Sequence, residues 1–179
     1  MSAHEASSPL GDAKAGDLKA FEILIAPLLD PAYRLAVVML QDRTEAEDVL
    51  QEAAFRAWKG VRSFRGDRVT LKPWFLTIVA NECRQTRRTR WWSVLRGPTY
   101  VRVPVEPEDL VLLRTDLARA VAGLGREDRV ALHLYFGLDM PIDEVARVLG
   151  VSPRGAKSRI HRTLKRLRLY LGDQEVLLP

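Results

Sequence analysis

Apolar residues recur three and four positions apart along almost the whole of this chain, a period that belongs to one face of an α-helix. Alternating β-branched segments bounded by turn residues, the mark of strands, are almost absent. The chain is therefore expected to be all-α. One stretch breaks the period: Gly97-Pro-Thr-Tyr-Val-Arg-Val-Pro-Val-Glu-Pro107 carries three prolines and reads as extended backbone. Two small helical domains joined by an extended linker follow. Their expected bounds are 17–92 and 109–172, with a linker over 93–108, a flexible N-terminus over 1–16 and a tail over 173–179.

Composition narrows the function classes. No run of eighteen apolar residues occurs, and Met1 to Gly16 lacks the basic-then-apolar layout of a signal peptide. A cytoplasmic protein without membrane insertion is expected. Cys83 is the only cysteine, and His4, His133 and His161 are scattered, so neither a disulfide nor a metal or other cofactor is expected. A lone cysteine between charged neighbours is more often inert than redox-active. The net charge of +5 is unevenly spread. Arg84, Arg87, Arg88, Arg90, Arg96 and Arg102 follow one another without an acid between them, and so do the basic residues from Arg154 to Arg168. Asp42, Glu45, Glu47, Asp48 and Glu52 face only Arg43. Two basic surfaces and one acidic surface are the expected result.

In the first domain, Asp17 to Leu40 reads as a helix broken or kinked at Pro27 and Pro31. The next helix is expected to start at Thr44, where Thr44-Glu45-Ala46-Glu47 has the form of a capping box. Ala46, Val49, Leu50, Ala53 and Ala57 make its core stripe, while Asp48, Gln51, Glu52 and Phe55 share the opposite side. A charged face is often merely solvated, but an aromatic residue among acids favours a partner surface. Val61 to Thr70 reads as a loop. A third helix follows to about Arg90, with Pro73 in its first turn. Spacing puts Trp74, Phe75 and Ile78 toward the core, and Thr77, Asn81, Arg84 and Arg88 on a neighbouring face. Aromatic rings, amides and guanidinium groups together suit single-stranded DNA, which stacks its bases and is held by its phosphates. Trp74 also has a purely structural reading as a core residue.

In the second domain, Glu108 to Leu124, Arg126 to Phe136 and Pro141 to Leu149 read as helices. After the turn Gly150-Val151-Ser152, Ser152 is the expected N-cap and Pro153 the first residue of the last helix. Ile160, Leu164, Leu167 and Leu171 form its apolar stripe; Arg154, Lys157, Ser158, His161, Arg162 and Lys165 lie together on another side. Short helix, Gly-containing turn and basic helix make a helix-turn-helix, whose second helix enters the major groove. The plainer alternative is a basic, solvated terminal helix.

These residues resemble a known family, the small two-domain extracytoplasmic-function sigma factors of bacterial RNA polymerase, over about Asp17 to Leu171. Asp42-Arg-Thr-Glu-Ala-Glu-Asp-Val-Leu-Gln-Glu-Ala-Ala-Phe-Arg-Ala-Trp58 is similar to the family's polymerase-docking helix. Phe64-Arg-Gly-Asp67 with Trp74-Phe-Leu-Thr-Ile-Val-Ala-Asn81 is similar to its promoter-melting segment, and Asp143 to Arg162 to the helix-turn-helix of its fourth region. The resemblance implies that Asp48, Gln51, Glu52 and Phe55 dock on core RNA polymerase, whose β′ clamp and β flap are the implied contacts. It implies that Phe64, Trp74, Asn81, Arg84 and Arg88 trap the opened −10 element, so that base capture separates the strands without ATP. It implies that Arg154, Lys157, Ser158, His161, Arg162 and Lys165 contact the −35 element, and that an anti-sigma factor holds the protein until it is needed. The chain departs from the family's habit at Gln85, where an acid is common, at Leu71, where an aromatic is frequent, and at Pro27 and Pro31. No domain is expected after the fourth region, since only Gly172 to Pro179 follow.

Two other classes compete. A regulator binding DNA alone through the helix-turn-helix leaves the acidic face of Asp48, Gln51, Glu52 and Phe55 unexplained. A Mg²⁺ nuclease on Asp42, Glu45, Asp48 and Glu52 lacks a nearby histidine or lysine to complete a catalytic set.

Overall fold

A computed structural model describes residues 8–94 and 116–171, and all regular structure among them is helical. The first unit contains α1 (Pro9–Ala15), α2 (Leu18–Leu40), α3 (Arg43–Gly60), a 3₁₀ turn (Val61–Ser63) and α4 (Arg68–Val94). The second contains α5 (Asp116–Ala122), α6 (Arg126–Leu132), which widens into a π-type turn over His133–Gly137, α7 (Ile142–Leu149) and α8 (Pro153–Leu171). The expected all-α architecture ending in a helix-turn-helix is what the chain adopts. Residues 93 and 94 of the expected linker belong to α4; the rest of the linker, the start of the Glu108 to Leu124 helix and the tail lie outside the described residues.

Several local expectations are corrected. The N-terminus, read as flexible to residue 16, forms α1, capped by Ser8 Oγ accepting from the Gly11 N–H at 3.1 Å, with Ala13 fully buried. Helix α2 runs unbroken through Pro27 and Pro31. Proline removes the N–H that would meet the carbonyl four residues earlier, and four-residue spacing places both losses on one side of the cylinder. That side is the solvent side, for Ile23 and Pro27 are exposed and Pro31 half-exposed, so the lost bonds do not fall in the core. The opposite face buries Phe21, Leu24, Ile25, Ala32, Leu35 and Ala36. By length and composition α2 also meets the requirement of a membrane span, with mean hydropathy 1.7; here its apolar face packs on α3 and α4. Helix α3 starts at Arg43 rather than Thr44, because the Asp42 carboxylate takes the N-cap and accepts from the Glu45 N–H at 3.0 Å. A carboxylate is as good a cap as a threonine hydroxyl and is favoured by the helix dipole. Helix α4 starts earlier than expected, at a reciprocal cap. Thr70 N–H donates to Asp67 Oδ1 and Asp67 N–H to Thr70 Oγ1, both at 2.9 Å. Donation to the Asp67 carboxylate lowers its pKa, the Thr70 N–H contributing most and the Thr70 hydroxyl next. Pro73 thus lies inside the helix, not in its first turn.

The core is continuous across both units. The ridge Phe75, Leu76, Val79, Ala80 and Cys83 of α4 is wholly buried, and α4 packs on α2 and α3 and, on another side, on α7 of the helix-turn-helix unit. Two cations reinforce that junction: Lys72 Nζ donates to the Leu138 carbonyl at 2.7 Å, and Arg84 Nη2 to the Val148 carbonyl at 2.6 Å. The turn between α7 and α8 is set by Gly150, in the left-handed region at φ 70°, with Val151 N–H reaching back to the Ala146 carbonyl at 3.0 Å. As expected, Ser152 Oγ caps α8, accepting from the Gly155 N–H at 3.1 Å.

Phe75 is the largest fully buried side chain among the described residues, so its removal leaves a cavity and Phe75→Ala is expected to lower unfolding stability by about 3–5 kcal/mol in urea titrations. Burial pushes the Cys83 thiol from its ordinary 9.0 to about 12. Folding thus favours the protonated thiol; its contribution is complete below pH 9 and is lost as pH rises from 9 toward 12. At pH 8 the native thiol is expected to resist alkylation and to react only on unfolding, and Cys83→Ala to flatten the alkaline loss of stability.

Candidate nucleic-acid and polymerase interfaces

Three surfaces carry the residues singled out by the sequence. On α3 the stripe Ala46, Val49, Ala53 and Ala57 is buried against α2 and α4, with Leu50 half-buried at its margin. Asp48, Gln51, Glu52 and Phe55 therefore face solvent together, and Phe55 keeps 51% of its surface exposed. The Lys59 ammonium sits 4.0 Å from the Phe55 ring centroid, a cation–π contact that keeps the ring at the surface. Two of the four carboxylates of the nuclease alternative have other employment: Asp42 caps α3, and Glu52 accepts from Arg56 Nε at 2.8 Å. Among the described residues no group of three or more His, Cys, Asp or Glu side chains could hold a metal ion.

The second surface is a cleft of about 580 Å³ where the end of α3, the 64–67 loop and α4 meet. Phe64 and Trp74 form one wall, their centroids 4.8 Å apart and their planes 38° from parallel. Neither ring is fully buried, and Ile78 is also only half-buried: Trp74 and Ile78 pack against the core, as expected, and at the same time line the cleft, whereas Phe75 is wholly internal. Gly66 is required beneath Phe64, since a Cβ there would strike both the ring and Thr70 Oγ1. Lys14 of α1 holds the loop from outside, donating to the Gly66 carbonyl at 3.4 Å with its ammonium 5.4 Å from the Phe64 ring centroid. Asn81 lines the cleft and Arg88 is exposed. Arg84 is engaged twice, by Asn81 Oδ1 at 2.7 Å and by the Val148 carbonyl.

Sequence reading missed Arg56, Glu82 and Gln85 as cleft residues. Arg56 Nη1 meets Glu82 Oε1 at 2.9 Å, joining α3 to α4. Its hydrogen bond to Glu52 is the main reason that the Arg56 guanidinium is held above its ordinary pKa, with Glu82 adding to the effect. No local pattern announces a pair 26 positions apart. Glu82 stands between the exposed Asn81 and the buried Cys83, so its position in the sequence gives no clear sign of its burial.

The third surface is α8. Ala156, Ile160, Thr163 and Leu167 are buried and Leu164 half-buried, an apolar face wider than the expected stripe by Ala156 and Thr163; the Leu171 side chain lies outside the description. Thr163 satisfies its hydroxyl on the Arg159 carbonyl at 2.9 Å. The opposite face exposes Arg154, Lys157, Ser158, His161, Arg162 and Lys165. Two other cations of α8 are spent internally: Arg166 Nη1 pairs with Asp128 at 2.7 Å, and Arg159 lies 3.5 Å from Glu127 and 3.9 Å from Asp128. Among the described residues the exposed six make no ion pair across to α6, so their cations can meet an anionic ligand.

Comparison with known proteins gives this arrangement its family. The profile described as Sigma-70 region 2 matches residues 24–93 and that of Sigma-70, region 4 matches residues 114–167. The ECF RNA polymerase sigma factor SigM of Mycobacterium tuberculosis is 32% identical over 165 residues, 88% of this chain and 80% of that protein. SigL of the same organism is 28% identical over 146 residues, 79% and 82%. The sigma factor RpoE of Bartonella quintana, solved in complex with the anti-sigma factor NepR, superposes with a TM-score of 0.73 at 26% identity, covering 88% of this chain and all of that one. CnrH, solved with the cytosolic domain of CnrY, shares the fold at 21% identity and a TM-score of 0.66, covering 93% and 97%. A region 2 unit bearing an aromatic cleft, followed by a region 4 helix-turn-helix with a cationic outer face, makes this chain a member of the extracytoplasmic-function sigma factors of the sigma-70 family.

Proposed function

We propose that this sigma factor binds core RNA polymerase, recognises the −35 and −10 elements of a promoter and promotes melting of the −10 region, acting in the cytoplasm and catalysing no reaction itself. The first unit, residues 17–92, would carry polymerase docking and −10 capture, and the second, residues 109–172, −35 recognition. The observation that carries the reading is the division of cations on α8. Those facing α6 are paired to Glu127 and Asp128, whereas Arg154, Lys157, Arg162 and Lys165 stand together on the outer face, beside Ser158 and His161. A helix of this kind delivers its N-terminal residues to base edges and its flanking cations to phosphates.

The cleft supports the second half. An aromatic wall beside amides and arginines can stack an unpaired base and hold its backbone, each stacked base contributing on the order of 1–3 kcal/mol. Captured bases cannot re-pair, so binding energy drives strand separation. Polymerase supplies the spacing between domains that lets two weak contacts act as one. The exposed Asp48, Gln51, Glu52 and Phe55 patch is the proposed docking surface for the β′ clamp, and the β flap is the proposed contact of the second unit. The NepR complex of RpoE supports an anti-sigma partner for this chain as well; pull-down from unstressed cells is expected to recover one, and constitutive occupancy of polymerase without one would count against it.

Run-off transcription on a library of promoter fragments, with core polymerase and with or without this protein, tests the proposal. New transcripts from discrete starts are expected. Asp48→Ala/Gln51→Ala should weaken all promoters alike, by raising the protein concentration needed. Arg154→Ala/Arg162→Ala should weaken them by on the order of tenfold or more, according to −35 sequence, with a shallower salt dependence. Absence of polymerase-dependent transcripts, together with tight binding of duplex DNA by the protein alone, would point instead to a standalone regulator.

A further inference from the structure

We infer that Glu82 is a specificity-determining residue of the cleft: its carboxylate accepts a hydrogen bond from the exocyclic amine of an extruded base, so that the site takes adenine, cytosine or guanine and rejects thymine. The inference rests on the proposed capture of unpaired promoter bases by this cleft.

The Glu82 side chain is only 8% exposed, yet it lines the cleft. A carboxylate is seldom buried unless something fixes and neutralises it. Here Arg56 does both. Its Nη1 lies 2.9 Å from Glu82 Oε1 and its Nε donates to Glu52 at 2.8 Å, so the guanidinium is gripped by carboxylates from two helices and in turn fixes the orientation of Glu82. Among the described residues Arg56 holds the Glu82 carboxylate, through Oε1. The second oxygen is left for an occupant of the cleft.

The chemistry of the wall selects that occupant. An ionised carboxylate can only accept, and it repels a phosphate. Phe64 and Trp74 offer flat apolar surface to a planar ring. A planar group that presents an N–H donor at its edge fits both. Adenine carries such a donor at N6, cytosine at N4 and guanine at N2, whereas thymine has O4 and a methyl group in their place. An amine projecting from the ring can reach Glu82 while the ring lies along the aromatic wall; the carbonyl oxygens flanking the thymine N3–H would instead face the carboxylate charge. Arg56 acts through Glu82 as a positioning residue.

The test uses the full-length protein with core polymerase on a promoter that it transcribes, each base of the opened non-template strand being varied in turn. Wild type is expected to show a position at which thymine alone is disfavoured, by about tenfold. Glu82→Gln places an amide donor where only an acceptor stood and is expected to restore thymine there while leaving preferences at other positions and at the −35 element unchanged. A structural role for the Arg56–Glu82 pair would lower all promoters together without changing that profile, and this result overturns the inference. Should the variant fold poorly, wild type on promoters carrying purine, 2-pyrimidinone or hypoxanthine in place of adenine, cytosine or guanine gives the same information. Loss of about tenfold on removing the amine supports the assignment and indifference overturns it. If wild type starts no transcript on any promoter, the reading of the cleft as a promoter site falls, and the inference with it; normal initiation with no thymine-specific position removes the inference alone.

Discussion

The packing of α4 is the constraint from which the other features derive their geometry. Its ridge of Phe75, Leu76, Val79, Ala80 and Cys83 has no exposed surface, and burial of that kind leaves little freedom for rotation or sliding. One flank then fixes where Trp74, Ile78, Asn81 and Glu82 stand around the cleft, and another receives α7 of the second unit. The start of the helix is equally determined, because the reciprocal cap between Asp67 and Thr70 ends the loop that carries Phe64 and Gly66. A shift of one residue in this helix would turn the cleft residues into the core and the core residues outward.

Much of this was legible in the sequence where one physical term dominates. The stripe of α3 could be read because small apolar residues at helical spacing leave a single way to bury them. The cap and first turn of α8 could be read because Ser152-Pro153 after Gly150 fulfils three local preferences at once. The errors fall where two terms compete. Thr44 and Asp42 are both acceptable N-caps, and the carboxylate two residues earlier prevails. Pro27 and Pro31 read as breaks or kinks because the penalty is local, but a helix that buries Phe21, Leu24, Leu35 and Ala36 recovers far more from packing than it loses at two hydrogen bonds on its exposed side. Trp74 and Ile78 pack against the core as their period indicates, yet they also line a cleft, since spacing reports a face of the helix and not what lies opposite it.

Least legible was the pairing of charges across elements. Arg56 and Glu82 belong to different helices, and Arg159 and Arg166 resemble the other cations of α8 until Glu127 and Asp128 of α6 are seen beside them. The consequence is a sorting of positive charge that composition alone conceals. Part of it holds the helix-turn-helix unit together, part ties the two units to each other through α4, and part is left on the outer face of α8 for an anionic ligand.

The junction between the units has an uneven chemistry. Lys72 and Arg84 belong to the first unit, but the groups that they meet in the second are the main-chain carbonyls of Leu138 and Val148. A carbonyl is supplied by every residue type, so side chains at 138 and 148 can drift for packing reasons without removing either acceptor. These two polar contacts are therefore encoded on one side only. In the course of divergence the second unit is free to change its outer face, and with it the DNA that it reads, as long as its backbone keeps the same turns, whereas a single substitution at position 72 or 84 removes a bond that no compensating side chain across the junction has to match.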